Sequence, residues 1–430
     1  MNFITPSVNR MRRPVYYVGL IHLLGLLASP AVHAEGSFLE AITGGKVSGQ
    51  LRPRFESVTQ EGKSDKASAF TLRTQLGYAT NDFQGFGAFV QFEDIRNLGS
   101  SRYNDTINGL TQYPTVADPE STEINQGFIS YKGGPDTLLA DTTIRYGRQI
   151  INLDNQRFIG SVGWRQNSQT FDAFSVTSAV TNNVNVFFAH VTNTNRIFGQ
   201  NSSQGDVRLN GELLNIAYRG FKPGTLIGYA YLLDYAPGQP IAVTASNKTL
   251  GLRFDGWHQP EGGAKFFYTA EYANQSDYKN GASTVGASYR NLVLGAEVKT
   301  VQVKLNYEVL GGDGVYGFAT PFATGHAFNG WADQFLTTPR DGLQDIFITL
   351  EKSWKGIHWL ARYDRYSSDT SGYDYGSELG LQASKKVNKN LTLLAKYADY
   401  SGDTNSTNVA RNLTLSRDLS KFWLQADFQF

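Results

Sequence analysis

The fold class of this chain is indicated most clearly by Lys421-Phe-Trp-Leu-Gln-Ala-Asp-Phe-Gln-Phe430. A row of apolar side chains alternates there with a mostly polar row, and the apolar row is Phe422, Leu424, Ala426, Phe428 and Phe430. Such an alternation is typical of a strand with one apolar and one polar face. Bacterial outer-membrane barrels usually end on a strand of this kind with a C-terminal Phe, which their assembly machinery recognises. We therefore predict a membrane β-structure that engages the barrel assembly machinery through Phe430.

The opposite end of the chain has the pattern of a secretory signal peptide. A positively charged segment comes first, with Arg10, Arg12 and Arg13. An apolar stretch follows at 15–27, and Val32-His33-Ala34 supplies small residues at the cleavage positions. The stretch is too short to span a membrane as a helix, which argues against a membrane anchor. We expect a signal peptide at 1–34 and an outer-membrane β-barrel at 35–430.

Composition narrows the function classes further. The chain has no Cys, so neither a disulfide framework nor a Cys-based metal site is expected. Removal of residues 1–34 takes away three of the 39 Lys and Arg residues and none of the 38 Asp and Glu residues, so no net positive charge favours nucleic acid as a partner. No long apolar run remains after cleavage. A closed barrel is then the spanning structure that satisfies the backbone inside lipid.

Alternating segments recur along the mature chain and predict eighteen strands of roughly ten residues each. They lie at 46–57, 68–80, 85–95, 123–132, 141–148, 169–178, 183–192, 211–220, 225–235, 248–257, 264–274, 291–299, 301–311, 343–353, 357–367, 376–386, 391–401 and 420–430. The connections between them alternate long and short, as in a barrel with long loops at one rim and short turns at the other. Residues 409–416 also alternate, but another strand would break this order, so we place them in the last loop. The predicted fold is an all-β, antiparallel transmembrane barrel of the bacterial outer-membrane type.

A barrel of eighteen strands is too wide for its inward side chains to fill, so it should enclose an aqueous channel. Our candidate pore-lining residues are the arginines Arg52, Arg54, Arg73, Arg145, Arg148, Arg157, Arg165 and Arg362. A guanidinium binds a carboxylate at two points, so such a lining favours a carboxylated solute. The alternative is that these arginines pair with lumenal glutamates such as Glu56 and Glu93 and brace the wall.

Two other functions compete with a channel. An outer-membrane enzyme would need a Ser/His constellation at one rim, but no such spacing surrounds the four histidines outside the signal peptide, so we predict no catalytic residues. A structural barrel whose loops seal the lumen is the second alternative. No phosphate loop, nucleotide fingerprint or metal-spaced motif occurs, so we expect neither a metal nor a cofactor.

Two segments of the predicted long loops carry a more specific signal. The first includes Gly147-Arg148-Gln149, Asp154-Asn155-Gln156-Arg157-Phe158-Ile159-Gly160, Gly163-Trp164-Arg165-Gln166-Asn167 and Gln169-Thr170-Phe171-Asp172. The second includes Phe328-Asn329-Gly330-Trp331-Ala332-Asp333, Thr337-Thr338-Pro339 and Gly342-Leu343-Gln344-Asp345. Together they resemble the alginate-export family of outer-membrane barrels, over a range from about residue 46 to Phe430.

The resemblance implies a monomeric, eighteen-stranded porin in the bacterial outer membrane that passes anionic or neutral saccharides, with alginate as one solute. It also implies inward-folded loops whose constriction residues would be Phe158, Trp164, Trp331 and Asp333. The sequence departs from an alginate exporter in two ways. Its predicted lumenal charges are mixed, and the turn at 387–390 is short where that exporter carries a long periplasmic loop. The solute therefore stays open between a polyuronate and hydrophilic solutes in general.

Overall fold

The computed structural model describes residues 37–430, so the predicted signal peptide lies outside the described residues. Two short α-helices, α1 Phe38–Thr43 and α2 Ser406–Arg411, and two 3-10 turns at Val243–Ala245 and Gly325–Ala327 accompany eighteen strands in this range. The strands are β1 Lys46–Gln60, β2 Ala67–Ala79, β3 Phe86–Asn97, β4 Ser121–Lys132, β5 Thr142–Gln149, β6 Thr170–Thr181, β7 Val184–Asn195, β8 Asp206–Phe221, β9 Gly224–Tyr235, β10 Asn247–His258, β11 Lys265–Asp277, β12 Gly286–Val298, β13 Val301–Leu310, β14 Leu343–Trp354, β15 Ile357–Ser367, β16 Asp374–Lys386, β17 Leu391–Gly402 and β18 Leu419–Gln429. Between residues 37 and 430, no helix is both long and apolar enough to cross a membrane.

The sheet closes on itself. Each strand pairs antiparallel with its neighbours in sequence, and β1 also pairs with β18. The seam runs from Gln50 opposite Gln429 to Gln60 opposite Leu419. Closure leaves no described strand with an unpaired edge, which is what a sheet surrounded by lipid requires. The predicted fold, a closed antiparallel barrel of eighteen strands, is confirmed.

Every predicted strand overlaps an observed one, and the differences lie at strand ends. β8 begins at Asp206 rather than at residue 211, and β12 begins at Gly286 rather than at residue 291. These extensions lie toward the rim with the long loops, where backbone pairing continues although the side-chain alternation that signals lipid contact has ended. Residues 409–416 fall in α2 and the loop that follows it, as predicted.

The two faces of the wall have opposite chemistry. Leu292 and Leu294 on the outward face of β12 are 53% and 67% exposed, as expected for side chains that meet lipid. The inward face carries charged side chains that are nevertheless buried, including Arg54 and Glu56, each 1% exposed. Charged groups are buried on a lumenal face only if something inside the barrel covers them.

Two long loops provide that cover by folding into the barrel. The first inward loop, residues 150–169, connects β5 to β6, and the second inward loop, residues 311–342, connects β13 to β14. A short parallel bridge joins them between Ile159 and Phe322, where the Gly160 N–H donates to the Phe322 carbonyl at 2.9 Å. The two loops therefore form one layer across the lumen.

An aromatic cluster seats this layer against the wall. Phe158 of the first inward loop lies 5.4 Å from Tyr229 and 5.2 Å from Tyr289, measured between ring centroids. It also lies 5.8 Å from Phe318 of the second inward loop. Aromatic contacts at these distances add to the stability gained by burying the rings, so Phe158 fixes both loops to β9 and β12.

Candidate functional site

Three arginines on the lumenal face of β1 and β2 hold the tip of the first inward loop. Arg52 donates to the backbone carbonyls of Gly163, at 2.9 Å, and Arg165. Arg54 donates to the carbonyl of Trp164, and Arg73 donates to that of Gln166 at 3.4 Å. These predicted pore-lining arginines thus direct guanidinium donors to the loop backbone.

The side chain of Arg165, at the tip of the loop, contacts acidic residues outside the loop in turn. Its Nη2 lies 2.8 Å from a Glu56 carboxylate oxygen, and its Nη1 lies 3.8 Å from Asp118. Burial opposes the charge, but Asp118 and Glu56 outweigh burial and raise the pKa of the Arg165 guanidinium above its usual value. Arg165 and Glu56 therefore form an ion pair between the first inward loop and the wall.

A second set of contacts anchors the two inward loops to β13. Arg157 of the first loop donates to Glu308 at 2.7 Å and to the side-chain oxygen of Asn329 at 2.8 Å. Asn329 of the second loop donates to the other Glu308 oxygen at 2.6 Å. Arg157, Glu308 and Asn329 are all buried. One carboxylate therefore ties both loops to the wall.

Glu378 on β16 holds the next residues of the second inward loop. Its carboxylate accepts hydrogen bonds from the backbone N–H groups of Trp331 and Ala332. Gly330, just before them, has a φ of +86°, in the left-handed region that favours glycine. A Cβ at Gly330 would collide with the Glu378 carboxylate and the Tyr366 hydroxyl.

Substitution of Gly330 by Ala is therefore expected to lower the free energy of unfolding. Gly356→Ala is a matched control, because Gly356 has a φ of +72° and no atom lies within 4 Å of the position that its Cβ would take. Both variants carry left-handed backbone strain, but only Gly330→Ala displaces the Glu378 carboxylate. We expect Gly330→Ala to cost about 2 kcal/mol more than the control, measured by urea unfolding in detergent. Equal costs would show that Glu378 does not hold the loop.

Where the second inward loop meets β17 and β18, four polar side chains form a continuous chain of hydrogen bonds, here called the Lys396–Lys421 chain. Lys396 on β17 donates to His326 Nε2 at 2.8 Å. His326 Nδ1 lies 2.7 Å from Asp333 Oδ1, and Lys421 on β18 donates to Asp333 Oδ2 at 2.8 Å. Because Nε2 accepts from an ammonium, His326 is neutral and donates its Nδ1–H to Asp333.

Tryptophan rings surround this chain. The Trp164 ring stacks on His326 with centroids 4.2 Å apart and planes inclined by 3°. The Lys396 ammonium lies 3.8 Å from the centroid of Trp331 and 4.3 Å from that of Trp164. Cation–π contacts of this geometry favour an ammonium that is removed from water. Trp164, Trp331 and Asp333, predicted as constriction residues, are thus brought together.

Charges near His326 fix its protonation. Burial lowers the pKa of His326 well below its usual 6.5, assisted by the positive charges of Lys396 and Arg165 and opposed by Asp333. Burial by itself would raise the pKa of Asp333, but His326 and Lys421 bring it below its usual range. Between Lys396 and Lys421, the chain therefore holds one neutral imidazole and one carboxylate.

Acidification is expected to loosen the second inward loop. A His whose pKa is lower in the folded state contributes stability above about pH 6.5, and this stability declines as the pH falls toward the lower folded value. Single-channel records should therefore show more open-state noise at pH 5 than at pH 7.5. His326→Gln is the control, because an amide can still accept from Lys396 and donate to Asp333 but does not titrate. An equal pH response in wild type and His326→Gln would exclude His326 as the cause.

Cavities lie on both sides of the layer, and His326 lines both of them. The cavity toward the long-loop rim has a volume of about 560 Å³ and includes Arg157, Arg165 and Lys421. The cavity toward the short-turn rim has a volume of about 510 Å³ and includes Arg52, Arg362, Lys396, Trp164 and Trp331. The Lys396–Lys421 chain with its tryptophans is therefore the boundary between two compartments of the lumen.

The remaining candidates lie elsewhere. Arg362 is buried on β15 and pairs with Asp364 and Asp345. Arg145 lies on the lumenal face of β5 and lines a separate cavity of about 590 Å³. Arg148, three positions further on, points from the opposite face of β5 and pairs with Asp172 at 2.8 Å. Arg148 is therefore not part of the lumenal group.

Several constriction residues were absent from the sequence-based candidates. They are His326, Asn329, Lys421 and Trp423. One signal was available, since Trp423 stands in the polar row of the terminal strand, where a large aromatic ring needs a covering partner. That partner is Trp164, 5.6 Å away between ring centroids.

Comparison with known proteins gives one family and a set of structural relatives. The sequence profile described as alginate export matches residues 46–302. No curated protein sequence matches significantly. Among solved structures, OccAB2 of Acinetobacter baumannii superposes with a TM-score of 0.73 at 15% identity, covering 92% of this chain and 99% of that one. OpdK of Pseudomonas aeruginosa with vanillate gives a TM-score of 0.68 at 10% identity, covering 90% and 99%. At these identities the likeness concerns the fold.

Proposed function

The chain belongs to the alginate export family, and from this premise we propose that it conducts acidic saccharides of oligomer size through the layer between its two inward loops. The family and the closed barrel make it a channel for hydrophilic solutes in the bacterial outer membrane.

The main support for this proposal is the charge of the side chains that line the two cavities. Cationic side chains outnumber anionic ones on both sides of His326, and on the short-turn side Arg52, Arg362 and Lys396 face the cavity without an acidic residue in the lining. Charged rings of this kind select ions of opposite sign. Trp164 and Trp331 add flat aromatic surfaces on which a sugar ring can lie. A uronate residue carries both features, a carboxylate and a ring face.

The size of the cavities limits the solute. Volumes of about 510 and 560 Å³ fall within the range of small-ligand pockets. A short uronate oligomer would pass one ring at a time, with its carboxylates handed from the cations of one cavity to those of the other. A neutral saccharide of the same length would have the ring contacts but no charge interaction.

We propose no enzymatic activity for the constriction. A general base needs a free ring nitrogen within reach of a substrate proton. Both nitrogens of His326 already have partners, Lys396 and Asp333. We further propose that the chain acts as a monomer, because β1 and β18 close the wall without a second copy, and that Phe430, whose backbone pairs with Gly49, is presented to the assembly machinery.

Planar-bilayer recording tests the proposal. Under a KCl gradient, the reversal potential should show anion preference, and oligoguluronate or oligomannuronate should interrupt the current from either side. Neutral oligosaccharides of matched length, such as maltodextrins, serve as the control and should block more weakly. A weakly selective current that both sugars block equally would instead identify a general diffusion porin, and a barrel without conductance would identify a sealed structural protein.

A further inference from the structure

The outward face of β14 to β18 carries a concave groove near the short-turn rim. Its volume is about 690 Å³. Three alanines form its floor, Ala361, Ala383 and Ala395, while Trp359 and Phe422 lie along its sides. Methyl groups stand there between longer side chains such as Trp359 and Phe422, so the wall is indented. The groove opens to the membrane because Trp359 is 44% exposed and Phe422 is 37% exposed.

The register of the strands orders the groove into rows. Leu350 pairs with Ala361, Ala361 with Leu381, Leu381 with Tyr397, and Tyr397 with Phe422, which makes one apolar row across five strands. The adjacent row toward the short turns begins with Lys352, followed by Trp359, Ala383 and Ala395. The apolar row is wide enough for an acyl chain, and a cation marks where the apolar part ends.

Two lysines at this end point toward lipid. Lys352 follows Leu350 on the outward face of β14, and Lys385 follows Ala383 on the outward face of β16. Both are exposed, and within residues 37–430 no carboxylate forms an ion pair with either. Two strands separate them laterally by roughly 10 Å, so their flexible side chains can reach one common group. A charge on the lipid face is tolerated only near the interface, so these lysines lie at headgroup depth.

Two tryptophans near the lysines also indicate that this end of the groove lies at the depth of the lipid headgroups. Trp354 is 53% exposed on the outward face and carries Lys355 over its ring, with 4.6 Å between the Lys355 Nζ and the ring centroid. Trp359 pairs directly with Lys352. Tryptophan favours the level of the lipid headgroups. The rim with the short turns faces the periplasm in outer-membrane barrels, and that leaflet consists of phospholipid.

We propose that this groove is a binding site for an anionic phospholipid, with its phosphate between Lys352 and Lys385 and an acyl chain along Ala361, Ala383 and Ala395. The positive charges of Lys352 and Lys385 favour an anionic headgroup. The alanine floor favours an acyl chain that lies flat against the wall. The site is independent of the solute that the channel conducts.

Native mass spectrometry of the purified, full-length mature protein tests the site with two added lipids, phosphatidylglycerol and phosphatidylcholine. The wild-type protein should retain phosphatidylglycerol in preference to phosphatidylcholine. The double variant Lys352→Gln/Lys385→Gln should retain phosphatidylglycerol about 30-fold less, since each lysine near a membrane surface contributes attraction to an anionic lipid. Lys248→Gln is the matched control, because Lys248 is an exposed lysine at the long-loop end of β10 and should leave retention unchanged.

A second variant tests the groove itself. Ala383→Leu keeps both lysines and fills the floor, so it should also reduce phosphatidylglycerol retention while single-channel conductance stays at the wild-type value. Retention that survives either the double lysine variant or Ala383→Leu would overturn the proposal. A dimer mass that disappears in Ala383→Leu would overturn it too, because the groove would then hold a second copy of the chain.

Discussion

Replacement of Arg52, Arg54 and Arg73 together by Ala is expected to raise the single-channel conductance several-fold. The three guanidiniums donate to backbone carbonyls between residues 163 and 166 and hold the tip of the first inward loop against β1 and β2. Each hydrogen bond from a charged donor contributes about 1.5–3 kcal/mol, so the loop loses several kcal/mol of attachment. Once released, residues 163–166 no longer cover the lumen, and the conducting cross-section increases.

The control for this variant is Arg145→Ala. Arg145 is also a lumenal arginine, but it lines a cavity away from the tip of the first inward loop. The Arg145→Ala variant therefore removes one lumenal charge without releasing a contact to the first inward loop. The triple variant should show a larger and noisier conductance, whereas Arg145→Ala should keep the wild-type value within a small change. An unchanged conductance in the triple variant would mean that the bridge between Ile159 and Phe322 suffices to hold the layer.

Lys396→Met is expected to reduce the preference for chloride over potassium by about tenfold. An ammonium roughly 5 Å from a passing ion, at an effective dielectric constant between that of water and that of a protein surface, contributes on the order of 1–3 kcal/mol. Methionine keeps the apolar stem between Trp164 and Trp331, so the packing survives while the charge is lost. The reversal potential under a salt gradient measures the change directly.

Lys304→Met provides the comparison for Lys396→Met. Lys304 is a lumenal lysine on β13 that faces a different cavity, 4.0 Å from Glu351, and its side chain is 35% exposed. Water screens a charge in this position more strongly than one in the constriction. Selectivity should therefore change far less in Lys304→Met. Equal changes in both variants would spread the selectivity along the lumen and remove it from the Lys396–Lys421 chain.

The barrel was predictable because lipid imposes a local rule. Wherever the chain meets the membrane, an apolar row faces outward, and Leu292 and Leu294 on one face of β12 with Asn291 on the other display this within a few residues. The rule ends at the rim, and so did the accuracy of the prediction. The polar first residues of β8 pair with β7 and β9, yet their sequence carries no lipid-facing row.

The constriction was only partly predictable because its members meet through folding of the loops. His326 and Lys396 are 70 residues apart, and Arg52 and Gln166 are 114 apart. No spacing pattern in the sequence predicts contacts between residues this far apart. The loop residues Phe158, Trp164, Trp331 and Asp333 were found through the family resemblance, whereas the wall residues that receive them, such as Glu308 and Glu378, looked like ordinary members of a lumenal row.

The hold on the first inward loop depends on atoms that every amino acid possesses. Arg52, Arg54 and Arg73 take backbone carbonyl oxygens at residues 163–166, so this part of the attachment does not depend on which side chains the tip carries, whereas the Arg165–Glu56 pair does. A tip residue whose attachment runs through its carbonyl group, such as Trp164, can therefore change its side chain while the backbone contacts that hold the tip remain. A descendant of this protein could therefore change its solute through point changes at residues such as Trp164, without rebuilding the contacts that position the loop.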